Sequence, residues 1–255
     1  MMKKAKIPKI RLDDLLVERG LAVSREQAQA MILSGTILVA DRPADKAGTP
    51  IPADAEIRIR GEAGPYVSRG GLKLRGALDA FGISVEGMSA IDIGASTGGF
   101  TDCLLQAGAA KVWAVDVGYG QLAWKLRANP RVVSIERTNI RHYDGAGVTG
   151  AVDLAVIDAS FISLKLVIPP VVKLIREGAI IIALVKPQFE VEKGEVGDRG
   201  VVRDPELHRR TIAEIEAFSR EIGLAVIGSC ESPLTGPAGN REFFICLRKP
   251  SGTIG

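Results

Sequence analysis

Residues 90–102, Ala-Ile-Asp-Ile-Gly-Ala-Ser-Thr-Gly-Gly-Phe-Thr-Asp, decide the fold of this chain. Residues 90–93 are a short run typical of a buried strand, residues 94–99 are a turn of small residues, and Phe100 opens a helix. In a doubly wound sheet such a unit binds ligands, because backbone N–H groups and a helix N-terminus face the ligand. The stretch therefore predicts an α/β fold with a ligand site at this turn.

The spacing of the glycines indicates which ligand the turn binds. A dinucleotide fingerprint requires G-x-G-x-x-G, but three other residues separate Gly94 from Gly98. The pattern Asp92-x-Gly94-x-x-x-Gly98 is typical of an S-adenosylmethionine pocket, with Asp92 facing the methionine end. We expect position 98 to be glycine because a side chain would block the backbone's approach to the ligand. The predicted cofactor-binding residues are Asp92, Gly94, Ser96, Gly98, Gly99, Phe100, Asp116 and Val117.

Asp116 ends the next predicted strand, Trp-Ala-Val-Asp, 22 residues after Gly94. An acidic residue at this place can hydrogen-bond the ribose hydroxyls of a nucleotide cofactor. The alternative is that Asp116 is a helix N-cap or a surface carboxylate. The position of Asp116 relative to Gly94 and Gly98 favours the role of ribose ligand.

The charge of the chain is unevenly distributed. Residues 1–75 contain 14 Lys and Arg against 9 Asp and Glu, and the remaining residues contain 19 against 21. A basic first part suggests a module that binds a polyanion. The three cysteines are widely spaced, so they predict neither disulfides nor a metal site. The sequence shows no signal peptide and no apolar run that could span a membrane, so we expect a cytoplasmic protein without a membrane partner.

The first sixty residues predict a small α+β domain. Helices are expected over residues 10–18 and from Ser24, whose capping box with Gln27 starts the second helix, to Leu33. Strands are expected over 36–40 and 55–60, with a polar loop between them. The pattern resembles the S4 RNA-binding domain in Arg11-Leu12-Asp13, Ser24-Arg25, Ala28 and residues 35–39. We expect Arg11 and Arg25 to contact RNA phosphates, which position RNA without reading its sequence.

The rest of the chain alternates strands with helices. After a linker at 61–68, residues 69–255 predict a helix over 69–81 and then a mostly parallel sheet covered by helices on both faces. The last two strands are joined without a helix, so they predict an antiparallel hairpin at the sheet edge. The expected strands are 90–94, 112–117, 132–137, 154–158, 179–186, 224–230 and 242–247, and the other helices are 100–107, 121–127, 163–177 and 205–222.

Four charged residues carry the candidate chemistry. Asp158 and Lys186 end apolar strands, Glu242 begins the last strand, and Lys73 lies on the helix before the sheet. Carboxyl ends of parallel strands meet at the ligand crevice. A lysine directly after an apolar strand indicates a paired or functional group rather than a solubilising charge.

The chain resembles the hemolysin A (TlyA) proteins in residues 68–73, 92–102, 116–124, 158–163, 186–190 and 239–242. That family pairs an S4 module with an FtsJ-type methyltransferase domain of Rossmann-like fold and methylates ribosomal RNA at the 2′-oxygen of cytidine. The resemblance implies that Lys73, Asp158, Lys186 and Glu242 are the catalytic tetrad, that Arg69 contacts RNA, and that ribosomal RNA or subunits are the partner. Longer members extend beyond the last strand, so the end of this chain soon after Cys246 favours large-subunit over small-subunit RNA.

Two chemical roles for Lys186 are compatible with the sequence. As a neutral amine it would take the proton of the 2′-hydroxyl, with Lys73 lowering its proton affinity and holding the substrate oxygen, and with Asp158 and Glu242 as orienting groups. As a cation it would instead stabilise the alkoxide. The loop over 187–203 is expected to close over the site.

Other functions are also open at this point. A non-catalytic ribosome-assembly factor would use the same basic module. A membrane-active hemolysin would need a membrane-inserting segment, which the sequence lacks, and a nicotinamide oxidoreductase would need the missing middle glycine.

Overall fold

The computed structural model describes residues 8–39, 42–59, 65–148, 150–197, 200–236 and 238–251. It divides the chain into two units, Met1–Gly64 and Pro65–Gly255. The predicted linker at 61–68 includes this division, and its first four residues lie outside the described residues. Each unit has its own buried apolar core.

The described residues of the first unit form two helices and five short strands. Leu12, Leu15 and Leu16 bury one face of the first helix against Ala28 and Ile32 of the second. The Ser24 hydroxyl accepts a hydrogen bond from the backbone N–H of Gln27, as the capping box predicts. The Gln27 side chain, however, accepts from the backbone N–H of Val23, one residue earlier than that motif requires. The elements are β1 (Lys9–Arg11), α1 (Leu12–Glu18), α2 (Arg25–Leu33), β2 (Ile37–Val39), β3 (Arg42–Pro43), β4 (Pro50–Pro52) and β5 (Ile57–Ile59).

The strand prediction for this unit was incomplete. β2 and β5 pair antiparallel, as expected, but the polar loop between them contains β3, which pairs with β2, and β4, which pairs with β1. β1 takes residues that were expected to start the first helix. Strands of two or three residues with prolines are too short to show an alternating pattern, so the sequence gives no signal for them. Residues 40, 41 and 60, at the expected strand ends, lie outside the described residues.

The second unit is built on a seven-stranded sheet in the order β11-β12-β10-β9-β6-β7-β8. The five strands from β6 to β10 pair in parallel. β12 runs antiparallel to both of its neighbours, which confirms the terminal hairpin. β11 is the edge strand, and β12 lies between β11 and β10. The strands are β6 (Ser89–Ile93), β7 (Lys111–Val115), β8 (Val132–Ile135), β9 (Leu154–Ile157), β10 (Ile180–Val185), β11 (Ala225–Glu231) and β12 (Phe243–Arg248).

Helices cover both faces of this sheet, as predicted for apolar parallel strands. One core contains Leu74, Leu104 and Leu126, and the other contains Val167 and Ile215. The helices are α3 (Gly70–Phe81), α4 (Gly99–Gln106), α5 (Trp124–Arg127), α6 (Leu164–Leu174) and α7 (Pro205–Glu221). Short 3₁₀ helices, which the sequence did not predict, lie at Ile140–His142, Pro187–Phe189 and Lys193–Glu195.

Candidate active site

The turn between β6 and α4 depends on two glycines with left-handed backbone. Gly94 has φ +83°, and a Cβ there would lie 2.6 Å from the backbone oxygen of Asp158. Gly98 has φ +97°, and a Cβ there would collide with the side chains of Leu122 and Leu126. The lack of a side chain at Gly98 therefore leaves room for neighbouring protein groups, a reason that the sequence did not predict. The role of Gly98 in the approach of a ligand stays a prediction. Gly94 brings the turn against the end of β9.

Asp92 is fully buried behind this turn. Thr101 of α4 donates a hydrogen bond of 2.6 Å to its Oδ2, whereas its Oδ1 has no hydrogen-bond partner in the described part of the chain. The pKa of Asp92 is raised to about 7, mainly by burial and to a lesser extent by the charges of Asp158 and Asp116, while its hydrogen bonds with Thr101 oppose the rise. An unsatisfied buried oxygen next to a glycine turn is compatible with a polar ligand group at this place.

Two other predicted cofactor residues differ in exposure: Phe100 is buried and Val117 is exposed. The Phe100 ring is buried and packs on Phe244, with ring centroids 6.1 Å apart, so residue 100 offers only its backbone to a ligand. Val117 is 68% exposed at the end of β7. Gly99 and Phe100 begin α4, where the first backbone N–H groups have no partner within the helix.

Asp116 connects the β6–α4 turn to the end of β7. Its Oδ2 accepts from the Ser96 amide at 2.8 Å, and its Oδ1 accepts from the Gly118 amide at 2.6 Å. Each carboxylate oxygen keeps a further lone pair for a ligand hydroxyl. A small cavity beside the carboxylate is lined by Ala95, Ser96, Gln121, Leu122, Ser134 and Glu136, among others.

The four predicted catalytic residues form two lysine–carboxylate pairs. Lys73 Nζ lies 2.5 Å from Glu242 Oε2, and Lys186 Nζ lies 2.6 Å from Asp158 Oδ1. The first contact is a hydrogen bond, while the second is a close ion pair whose geometry is not that of an aligned hydrogen bond. Both lysines and Glu242 are buried, and the Asp158 side chain is 25% exposed.

The sheet register brings the two pairs to one edge. Val185 of β10 lies opposite Phe243 of β12, so the next residues, Lys186 and Glu242, lie opposite each other where those strands end and begin. The Asp158 amide donates to the Ile93 oxygen, which places the end of β9 beside the glycine turn. The candidate catalytic groups and the candidate cofactor turn therefore share the carboxyl edge of the parallel strands.

The predicted RNA-contacting arginines of the first unit converge on one carboxylate. Arg11 and Arg25 both donate to Asp13, and so does Gln29. The two guanidinium side chains stay 45% and 48% exposed. Arg69, in the second unit, is exposed and donates to the backbone oxygen of Thr235 at 3.2 Å.

The sequence analysis did not identify three residues that form hydrogen bonds with predicted site residues. Asp13 was noted only as part of a motif, Thr101 was not noted as a partner of Asp92, and Ser160 was not noted as the acceptor of a 2.7 Å hydrogen bond from Lys186 Nζ. Short polar side chains one or two positions from a functional residue have no periodic signal, although Ser160 follows Asp158 within the same motif.

The parallel sheet, its antiparallel β12 and the glycine turn define a Rossmann-like methyltransferase. The chain belongs to the FtsJ-like methyltransferase family, whose model matches residues 66–249, and the S4 domain model matches residues 10–57. Family membership confirms the predicted enzyme class and supports S-adenosylmethionine as the cofactor. Residues 8–59 of the model fit the expected α+β architecture of the first domain.

Relatives cover nearly the whole chain. The 16S/23S rRNA (cytidine-2′-O)-methyltransferase TlyA of Mycobacterium tuberculosis is 49% identical over 239 residues, 93% of this chain and 89% of that protein. Hemolysin A of Brachyspira hyodysenteriae is 38% identical over 235 residues, 92% of this chain and 98% of that protein. A solved structure of a hemolysin-named protein from Streptococcus thermophilus is 44% identical, with a TM-score of 0.74 over 96% of this chain and 90% of that one. No helix in the described residues is long and apolar enough to cross a membrane.

Proposed function

We propose that this chain methylates the 2′-oxygen of a cytidine in ribosomal RNA, with S-adenosylmethionine as methyl donor and Lys73, Asp158, Lys186 and Glu242 as catalytic residues. The observation that carries the proposal is the pair of buried lysines, each matched to one carboxylate, beside the glycine turn. Buried lysines are rare unless they are paired or functional. The TlyA relative, named for this reaction on ribosomal RNA, supports the choice of substrate.

The residues of the turn would hold the cofactor. The unpaired Oδ1 of Asp92, the first backbone N–H groups of α4 and the free lone pairs of Asp116 provide acceptors and donors for a charged nucleoside. Bound S-adenosylmethionine supplies an electrophilic methyl group on a sulfonium.

The lysines would act on the RNA hydroxyl. Asp158 and Glu242 each fix one ammonium group, which fits the orienting role that the sequence suggests for the carboxylates. Lys186 would accept the hydroxyl proton or stabilise the alkoxide as oxygen attacks the methyl carbon, and Lys73 would hold the same oxygen. Arg11, Arg25 and Arg69 would bind RNA phosphates.

The test is single-turnover transfer of a tritiated methyl group to RNA, followed by mapping of 2′-O-methyl sites in both ribosomal subunits. Lys186→Ala should slow transfer by about 10²–10⁴-fold, because it removes the group that handles the hydroxyl proton. Cofactor binding by calorimetry and RNA binding should persist. Lys173→Ala, which changes an exposed lysine of α6, is the matched control and should leave the rate unchanged.

The outcomes separate the alternatives. Near wild-type transfer by Lys186→Ala would remove this lysine from the mechanism. Cofactor binding without transfer by the wild-type protein to either subunit would favour a ribosome-assembly factor. Methyl sites in both subunits would contradict the large-subunit preference, which stays a prediction, as does the cytoplasmic location. One TlyA relative is named for both RNAs and another, from Campylobacter jejuni, for 23S rRNA alone.

A further inference from the structure

The environment of the Lys186 amine contains a hydroxyl outside the four predicted catalytic residues. Lys186 Nζ donates to Ser160 Oγ at 2.7 Å and pairs with Asp158 Oδ1 at 2.6 Å. The Lys186 side chain is only 10% exposed, whereas Ser160 is an exposed residue. Ser160 therefore connects a buried amine to the open side of the site.

The backbone around Ser160 is held in an unusual conformation. Phe161, the next residue, has φ +63°, which is uncommon for a non-glycine residue and uncommon above all for a bulky one. Its ring packs on Phe189, with centroids 5.0 Å apart, and Phe189 also lies 6.0 Å from Lys186 Nζ. A strained residue persists where surrounding contacts determine it, so this ring contact helps to fix the turn that carries Ser160.

The hydrogen bond to Ser160 limits how the Lys186 amine can contact a substrate, because the amine has only a few N–H groups. A charged lysine has three N–H groups, and a neutral one has two N–H groups and one lone pair. Ser160 accepts a hydrogen bond from one N–H of the amine, whereas the Asp158 contact is an ion pair without an aligned hydrogen bond. We propose that Ser160 is a positioning residue for Lys186. The hydrogen bond to Ser160 and the ion pair with Asp158 together fix the amine so that a remaining N–H or the lone pair meets the RNA hydroxyl. This proposal rests on the proposed function and adds a residue to it.

Removal of the hydroxyl should slow the chemical step rather than weaken binding. The Lys186 amine would keep its ion pair with Asp158 but lose the hydrogen bond that fixes its direction. An amine that is less well aligned with the RNA hydroxyl lowers the rate of the chemical step, whereas the affinities for RNA and cofactor depend on other groups. The single-turnover rate at saturating RNA and cofactor should therefore fall, with the half-saturating concentrations unchanged.

The test compares single-turnover methyl transfer by Ser160→Ala, Ser160→Thr and wild type at saturating RNA and S-adenosylmethionine. Ser160→Ala should be about tenfold slower, because the loss of one hydrogen bond to a charged group has about that effect. Ser160→Thr keeps the hydroxyl and should restore most of the rate. Ser229→Ala, at an exposed serine of β11, is the matched control. Cofactor and RNA affinities should be unchanged in every variant.

Two results would overturn the proposal. A wild-type rate in Ser160→Ala would show that the hydroxyl does nothing for Lys186. A slower Ser160→Ala that also binds cofactor or RNA more weakly, and whose rate threonine does not rescue, would show a purely structural role. If Ser160→Ala does not fold, Ser160→Cys, of similar size and a weaker acceptor, takes its place. Failure of the wild-type protein to methylate any RNA would instead refute the proposed function, so the two failures are distinguishable.

Discussion

Two buried aspartates, one in each unit, have opposite electrostatic surroundings. Asp13 and Asp92 are both 0% exposed. Asp13 accepts from the guanidinium groups of Arg11 and Arg25, and these hydrogen bonds hold its pKa far below the usual range despite burial. Asp92 interacts with the neutral hydroxyl and the backbone amide of Thr101, and burial raises its pKa to about 7.

The difference shows that burial alone does not determine the charge of a carboxylate. Asp13 is covered by arginines that are themselves about half exposed, so the ionised group is neutralised next to solvent. Asp92 lies behind α4, with only other carboxylates adding to the local charge. The first arrangement leaves two guanidinium groups about half exposed, as the proposed binding of RNA phosphates requires. The second leaves a polar atom unsatisfied where a cofactor would bind, at a cost to stability when the group ionises.

The largest predicted effect concerns the ionisation of Asp92. Its pKa is higher in the folded protein than the ordinary 3.8, so the folded state binds more protons and its stability falls as pH rises towards and through 7. Between pH 5 and pH 8 this group should remove about 3 kcal/mol from the free energy of unfolding. Asp92→Asn should abolish that part of the pH dependence, because asparagine does not ionise.

Denaturant unfolding followed by tryptophan fluorescence measures this effect. The two tryptophans of the chain, Trp113 and Trp124, both lie in the second unit, so their signal reports on that unit. Glu221→Gln, at an exposed carboxylate at the end of α7, is the control for loss of a surface charge. Equal pH dependence in wild type and Asp92→Asn would mean that Asp92 is not the group that titrates.

A smaller effect is expected from Asp13→Asn. The substitution keeps the size of the side chain but leaves Arg11 and Arg25 without their shared charge, so it should destabilise the first unit by about 2 kcal/mol. The loosened arginines should also weaken RNA binding, with a changed dependence of affinity on salt. Hydrogen exchange of the amides in residues 8–59 and RNA anisotropy titrations at several salt concentrations measure the two effects.

Asp14→Asn provides the matched control for this experiment. Asp14 lies 3.6 Å from Arg11 and 3.4 Å from Arg25 but is 44% exposed, so its ion pairs are screened by solvent. We expect it to change stability and RNA affinity little. If the two substitutions cost the same, the buried position of Asp13 would have no special role.

The sequence predicted where the candidate catalytic residues lie better than it predicted which residues they pair with. Asp158 and Lys186 were found because the ends of parallel strands meet at one edge, which topology alone dictates. The pairing of Lys186 with Asp158 depends on the β9–β10 register, and that of Lys73 with Glu242 depends on how α3 packs beside the start of β12. Both also depend on side-chain rotamers, which no periodic pattern records. The Asp13 cluster was missed because an aspartate two residues after an arginine is also what an exposed helix start would show. The predicted helix over 121–127 begins only at Trp124 because Gln121 instead takes part in the turn, where its side chain accepts from Ser96 Oγ.

The smallest predicted effects on stability come from removing the neutral hydrogen-bond donor of Asp92 or of Asp13. Thr101→Val removes the hydroxyl from Asp92, and Gln29→Leu removes the amide that donates to Asp13 at 2.9 Å. Loss of a hydrogen bond to a carboxylate costs about 1–2 kcal/mol when nothing replaces it. The Thr101 hydroxyl is the side-chain donor to Asp92, and valine would keep only the backbone amide of residue 101. Thr101→Val should therefore cost this amount at pH 8, where the carboxylate is ionised, and much less at pH 5. Asp13 keeps both arginines, so Gln29→Leu should cost under about 1 kcal/mol at either pH. Tryptophan fluorescence measures the first variant, and hydrogen exchange in residues 8–59 measures the second. A larger cost for Gln29→Leu than for Thr101→Val at pH 8 would contradict the view that the arginines, and not burial, set the behaviour of Asp13.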